Sequence, residues 1–423
     1  MSELLTKFRI LIADQTLRRR ALFTVGVLIL FRLLTTVPIP GIDLLKLEQF
    51  FSNNQFLGLL NVFSGGGLSN LSIVMLGVGP YITASIIMQL LTMMWPRLKA
   101  LYHEEGEVGR KKFTQYSRLL TVPLALIQAF GFLALLQKQG ILGELSGFSM
   151  SVNIITVAGG SLLLMWLGEL ITEFGIGNGV SLLIFAGIVA SIPTQLTQLI
   201  FSFDVSQVPL YLAFILVALT VIFGVVVITE AERPVPITYA KRVRGMKMYG
   251  GVSTYLPLRI NQGGVIPIIF ALSILLFPQM ILNFLSNIGN ASIESVATFL
   301  LGILANSWFY AIAYFVLVFL FTYFYTAVTF DPQSIATNLQ KGGAFIPGVR
   351  PGQSTTDYLS KIVTRITLVG AVFLGAIAVL PLIMQAATGV TALAIGGTAL
   401  LIVVSVVLDL VKKVDAQISM REY

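Results

Sequence analysis

Apolar residues in this chain gather into long blocks, and polar residues fall between the blocks. Windows of about 20 mostly apolar residues, the length that crosses a bilayer core, lie near residues 21–38, 73–94, 119–137, 152–172, 180–201, 208–229, 263–286, 307–329, 363–385 and 390–411. Lipid offers the backbone no hydrogen-bond partner, so such windows are helices. They are too long for the roughly ten-residue strands of a membrane β-barrel. The pattern predicts an all-α, polytopic membrane protein of ten transmembrane helices. No small-residue cleavage site follows the first window, which is therefore read as a retained span.

Charge gives the spans a direction. With the N-terminus placed in the cytoplasm, all 27 basic residues fall on the cytoplasmic side except Lys46, Lys138 and Arg32, the last within the first window. Basic residues orient membrane proteins in this way. A count wrong by one helix would scramble the asymmetry, and it puts both termini inside. Ten spans divide into five and five, residues 1–205 and 206–423. An odd number per half makes the second half enter from the opposite side, as in inverted repeats, which hold their working site at the interface near mid-membrane. No residue-level repeat accompanies this architecture. Composition agrees with a lipid setting: 56% of residues are hydrophobic and 11% charged, against roughly 25% charged in soluble domains.

The chemistry is sparse. The chain has no cysteine, and its one histidine is His103. No paired carboxylates lie within the spans, and no nucleophile elbow, zinc-binding helix or phosphate loop occurs. The chain is therefore read as no enzyme and as needing no cofactor or metal, with energy supplied by a partner or an ion gradient. The ionisable residues in or near spans are Arg32, Glu169, Glu173 and Asp409. The three acids sit near cytoplasmic ends, where long side chains reach the interface. Arg32 lies deeper and calls for a carbonyl, a carboxylate or a partner helix. A secondary transporter of a small solute, built as an inverted repeat, is the alternative reading, and it would show a compact polar site at mid-membrane.

Three loops stand out. The first external connection, residues 39–72, ends in FSGGGLSN (63–70) after the apolar but short NQFLGLLNVF (54–63). It is either a surface loop or a re-entrant segment within the bundle, with the glycine run as a hinge. The basic loops 95–118 and 230–262 carry EEGEVGRKK (104–112) and YAKRVRG (239–245). Positive-inside topology and contact with anionic headgroups explain such charge. Their glycines and prolines also fit protrusions that meet ribosomal RNA or an acidic protein surface.

Several stretches resemble the SecY family of bacterial protein-translocation channels: FRLLTTVPIPGID (31–43), FSGGGLSNLSI (63–73), LGVGPYITASIIMQLL (76–91), EEGEVGRKKFTQYSR (104–118), LMWLGELITEFGIGNGVSLLIFAGIVA (164–190), YAKRVRG (239–245), STYLPLRINQGGVIPIIFA (253–271), DPQSIATNLQKGGAFIPGVRPG (331–352) and TRITLVGAVFLGAIAVLP (364–381). They keep the family's order from the first span to the last. The resemblance implies a clamshell of two five-helix halves around a pore for unfolded polypeptides. It implies a plug, a short helix near residues 58–72 that takes in Phe63, Ser64, Gly65, Gly66, Gly67 and Leu68 and is hinged at the three glycines. It places an aliphatic pore ring on Val78, Ile82, Val180, Ile184, Ile269 and Ile402, with two valines where isoleucine is often found. A lateral gate would run between the second/third and seventh/eighth spans, with Thr83, Gln89 and Asn261 hydrogen-bonding across it. Lys241, Arg242, Arg244 and Arg350, on cytoplasmic loops 230–262 and 330–362, would dock a SecA motor ATPase or the ribosome. The resemblance further implies a SecE-type clamp subunit, a SecG subunit, signal-sequence-bearing substrates and a bacterial plasma membrane, and no direct DNA binding. The chain departs from common members in a brief seventh–eighth external loop and a short N-terminus.

Overall fold

The computed structural model describes residues 14–40, 61, 64–68, 70–103, 105–138, 140–143, 146–201, 208–239, 242–244, 247–249, 253–286, 291–388 and 391–419. In chain order the first half holds α1 (Gln15–Leu34), α2 (Gly79–Met94), α3 (Pro96–His103), α4 (Gly106–Lys138), α5 (Gly147–Phe174) and α6 (Gly179–Phe201). The second half holds α7 (Val208–Glu230), β1 (Glu232–Tyr239), β2 (Arg242–Arg244), β3 (Lys247–Tyr249) and β4 (Ser253–Arg259). It continues through α8 (Ile266–Leu285), α9 (Ala291–Ala305), α10 (Ser307–Thr329), α11 (Pro332–Lys341), β5 (Ala344–Phe345), α12 (Gln353–Thr388) and α13 (Thr391–Ser419). A helix occupies each of the ten apolar windows, and the chain is a multi-pass helical membrane protein. Helix starts follow from local chemistry. The Asp14 carboxylate accepts from the Thr16 and Leu17 amides at 2.8 and 3.0 Å, and Asn306 accepts from the Trp308 and Phe309 amides at 3.0 and 3.3 Å. Both satisfy amides that a first turn leaves open.

Two expectations shift. Hydropathy starts the second window at residue 73, yet 73–78 are turns and α2 begins at Gly79. Gly77 takes a left-handed backbone (φ 58°), and Pro80 sits in the first helical turn, where its missing amide costs nothing. An apolar run does not reveal such a break. The seventh–eighth loop, read as brief, holds the apolar helix α9. Its 15 residues reach about 22 Å, short of a bilayer core, so no span-length window flags it.

Loops 230–262 and 330–362 form one structural unit. β1 pairs antiparallel with β4, from Glu232↔Arg259 to Thr238↔Ser253. β5, from the other loop, pairs with β1 at Thr238↔Phe345 and Tyr239↔Ala344. The order is β4–β1–β5. Under it lies a separate apolar core of Val235, Leu258, Ile346, Leu359, Ile362, Val363 and Ile366. The sheet thus stands on the first turns of α12. Strand pairing puts both loops on one side, as the basic-residue pattern predicts. Lys412 pairs with Glu230 at 2.9 Å, which brings the end of α13 to that side.

Small residues bring the spans close. A Cβ on Gly179 would overlap the Gly168 carbonyl, and one on Gly160 would overlap the Ile73 carbonyl. In lipid, where apolar surface alone does not favour association, such close backbone contact holds helices together. Gly179→Val is therefore expected to cost about 1–3 kcal/mol by overpacking, read as a lower thermal midpoint in detergent; an unchanged midpoint would refute the contact.

Candidate functional site

The six aliphatic residues expected to form a ring come from four helices. Val78 and Ile82 flank the start of α2, Val180 and Ile184 lie in the first turns of α6, Ile269 lies in the first turn of α8, and Ile402 lies within α13. Val78, Ile82, Ile184, Ile269 and Ile402 are buried in one continuous apolar core, and half-buried Val180 packs against it. The same core takes in Leu68 and Leu71, both 0% exposed, from the segment expected to be the plug. Branched aliphatic side chains offer a passing chain no hydrogen bonds and disfavour a water column. All six positions thus lie in or against the one large apolar core that also takes in Leu68 and Leu71.

Phe63 and residues 58–60, 62 and 69 of that segment lie outside the described residues. Among the described residues from Ser64 to Val78, which leave out Ser69, the chain runs in turns with one bridge at Ser72 and holds no helix. The Ser64 hydroxyl donates to the Asn61 carbonyl at 3.0 Å and accepts from the Leu68 amide at 3.0 Å. Gly65 and Gly66 have φ of 68° and 84°, the left-handed region that glycine enters without cost. Gly67 accepts from the Ser72 amide at 2.9 Å. Beyond Ser69 the segment pairs with the chain leaving α1: the Ile39 amide donates to the Leu71 carbonyl and the Ile73 amide to the Val37 carbonyl, both at 3.0 Å. The Asn70 side-chain Nδ2 donates to the Thr35 carbonyl at 3.3 Å.

Arg32 finds its partner here. Its Nη1 donates to the Gly65 carbonyl at 3.0 Å, one of the acceptors the sequence called for. The Phe31 ring lies so close to Gly65 that a Cβ there would overlap it, and a Cβ on Gly187 of α6 would overlap the Gly65 α-carbon. Phe31 and Gly187 were not singled out from the sequence. The available signal was a glycine in mid-span, in LLIFAGIVA (182–190), where small residues mark close approach.

The remaining expectations divide. Helix α8 packs against both α2 and α4, so the seam between the second/third and seventh spans exists. Among the described residues, none of the three polar side chains bonds across it. The Thr83 hydroxyl donates to the Gly79 carbonyl at 3.0 Å within its own helix. The Asn261 amide donates to the Gly264 carbonyl at 3.2 Å. Gln89 Oε1 and Asn261 Oδ1 are buried without a protein partner. Local carbonyls lie within reach of short side chains, so they win over partners on a neighbouring helix. Glu169 accepts from Arg118 at 2.8 Å, and Asp409 pairs with Lys413 one turn on at 2.7 Å; both bonds are satisfied at helix ends. Lys241 lies outside the described residues. Arg242 and Arg244 sit in β2, opposite Tyr249 and Lys247. Arg350 is exposed between Gly348 (φ 82°) and Gly352 (φ 105°), and its carbonyl accepts from the Thr355 hydroxyl at 2.9 Å.

The SecY family model matches residues 72–411. Protein translocase subunit SecY of Mycobacterium leprae is 44% identical over 428 residues, covering 96% of each chain. The Streptomyces coelicolor subunit of the same name is 41% identical over 438 residues, covering 99% of each. Among solved structures, a protein-conducting channel superposes with a TM-score of 0.66 at 20% identity, over 95% of this chain and 93% of the other. Sec61 from a canine ribosome–channel complex of the endoplasmic reticulum superposes with a TM-score of 0.62 at 19% identity, over the same shares. The curated relatives carry the family, and the solved channels carry the fold: this chain belongs to the SecY family of protein translocase channel subunits.

Proposed function

We propose that this chain is the protein-conducting pore of a translocase, in which the segment near residues 58–72 plugs a ring formed by Val78, Ile82, Val180, Ile184, Ile269 and Ile402. The observation that carries this reading is the complete burial of Leu68 and Leu71 in the apolar core that holds the ring. The substrate is an unfolded polypeptide with an apolar signal sequence or membrane anchor. Such a helix enters the seam where α8 meets α2 and α4, and favours the open state by binding it better than the closed one. The unpartnered polar atoms of Gln89 and Asn261 lower the cost of parting that seam, since no bond across it is lost. The halves 1–205 and 206–423 hinge apart, the plug leaves, and the chain crosses or exits sideways into lipid. The protein performs no covalent chemistry.

The sheet β4–β1–β5, with Arg242, Arg244 and Arg350 on its loops, is proposed as the docking platform for a SecA motor or the ribosome. A shared core under two basic loops supports this reading, as does the solved ribosome complex of the canine relative. A SecE-type clamp and a SecG subunit complete the assembly in a bacterial plasma membrane, with both termini cytoplasmic. The bacterial origin of the curated relatives and the basic-residue asymmetry support that placement.

The test is translocation in vesicles containing this chain and a SecE-type partner, supplied with SecA, ATP and a radiolabelled precursor. Protease-protected precursor that requires both ATP and the signal sequence is expected. No protection, in vesicles where a control translocase works, would refute the channel and favour the small-solute transporter.

A further inference from the structure

We propose that Arg32 is a positioning residue that latches the plug shut, its guanidinium holding the Gly65 carbonyl until a substrate arrives. The proposal rests on the plug reading above. Arg32 is the basic residue that the sequence places within the first span, and its Nη1 donates to Gly65 at 3.0 Å. A Cβ at the next residue, Gly66, would stand 3.5 Å from the same nitrogen, so the guanidinium lies along the glycine hinge. That hinge is gripped on two further sides, by the Phe31 ring one residue before Arg32 and by the backbone of Gly187 on α6. The first and fifth spans therefore hold one peptide unit between them, and Arg32 supplies the polar part of the grip.

The chemistry makes such a bond sensitive to the state of the pore. A guanidinium keeps its charge, and a charge away from water must have an acceptor. Arg32 is half-buried and Gly65 is buried; with the plug seated, the carbonyl is that acceptor, and the restricted access of water strengthens the bond. Once a polypeptide and its water enter, water can replace the carbonyl, and the bond loses most of its advantage. The latch is thus firm in the sealed channel and weak in the open one. A hydrophobic contact alone would not change in this way.

Purified channel complex in vesicles tests the proposal, with resting ion leak and translocation of precursors measured together. Arg32→Gln is expected to raise the resting leak about tenfold, the shift that loss of one charge-assisted hydrogen bond produces. It should pass intact precursors at the parental rate and also accept precursors with a defective signal. Arg32→Lys, which keeps the charge, should restore part of the seal. The chain has no cysteine, so a Pro38→Cys, Ser72→Cys pair, placed at the antiparallel bridge between those two residues, where facing α-carbons are close enough for a disulfide, can lock the segment by oxidation. Oxidation should abolish the leak of Arg32→Gln and reductant should return it; a leak from general misfolding would not respond. Deleting residues 64–70 separates the failures. If the deletion seals like the parent, the plug reading falls. If the deletion leaks while a folded Arg32→Gln seals fully, the latch is overturned and the plug stands. If Arg32→Gln does not fold, the partial leak of Arg32→Lys and its response to the lock decide the matter.

Discussion

Ile184→Asn is expected to open a resting ion leak in vesicles and to let precursors with defective signals through. Ile184 is 1% exposed, in the core that also buries Leu68 and Leu71. The substitution removes a branched aliphatic surface worth about 1.5–3 kcal/mol in transfer. It also places an amide where no partner is provided, at about 1–3 kcal/mol more. Both terms act against the closed state, in which the side chain is dry. In an open pore the amide meets water and the penalty vanishes. The closed-to-open balance should therefore shift by about two orders of magnitude or more, since each 1.4 kcal/mol is a factor of ten. Ile184→Val, which keeps the surface and trims one methylene, should cost about 1 kcal/mol and seal almost as well. An asparagine variant that folds, assembles and seals like the parent would remove Ile184 from the constriction. The same contrast applied to Ile402, also 1% exposed, tests whether the second half contributes equally.

Leu359→Ala should disable partner docking while sparing the seal. Leu359 is 0% exposed and lies at the centre of the small core beneath the sheet β4–β1–β5. Leucine-to-alanine changes at such sites cost about 2–5 kcal/mol. This core is small, and β5 is held by two residue pairs, so a loss of that size is enough to release β5 from β1. The two cytoplasmic loops would then move independently, and Arg350 would lose its fixed position relative to β1. The expected result is loss of ATPase stimulation in a bound motor, or of ribosome binding, with resting ion leak unchanged. Normal docking by a folded Leu359→Ala variant would show that the platform need not be rigid. A leak would show that the small core and the main core are coupled through α12.

Much of this protein was legible in its sequence, and the parts that were not share a cause. The ten helices follow from apolar block length, because lipid leaves the backbone no other way to satisfy its hydrogen bonds. The common side of the two large loops follows from basic residues, because charge sets orientation. Arg32 was marked because an arginine in a span needs an acceptor, but not which acceptor, since Gly65 is 33 residues away. The candidate ring was placed by motif resemblance alone. Periodicity does not separate Ile82 or Ile402 from the other apolar residues of their helices. The shift in the start of α2 and the helix Ala291–Ala305 were hidden because turns and short helices in apolar segments have the same composition as spans.

The sequence by itself determined that the chain dissolves in lipid, that it forms ten long apolar helices, and that loops 230–262 and 330–362 share one side. These are sums over many residues, and each block carries its own answer. Only the tertiary structure decided what meets what. It brought Phe31, Arg32 and Gly187 onto Gly65, joined β5 to β1 across a hundred residues, and left Gln89 and Asn261 without a bond across the seam. Those outcomes depend on the distance between two backbones and on which of several acceptors lies nearest. A linear pattern of polar and apolar residues contains neither quantity.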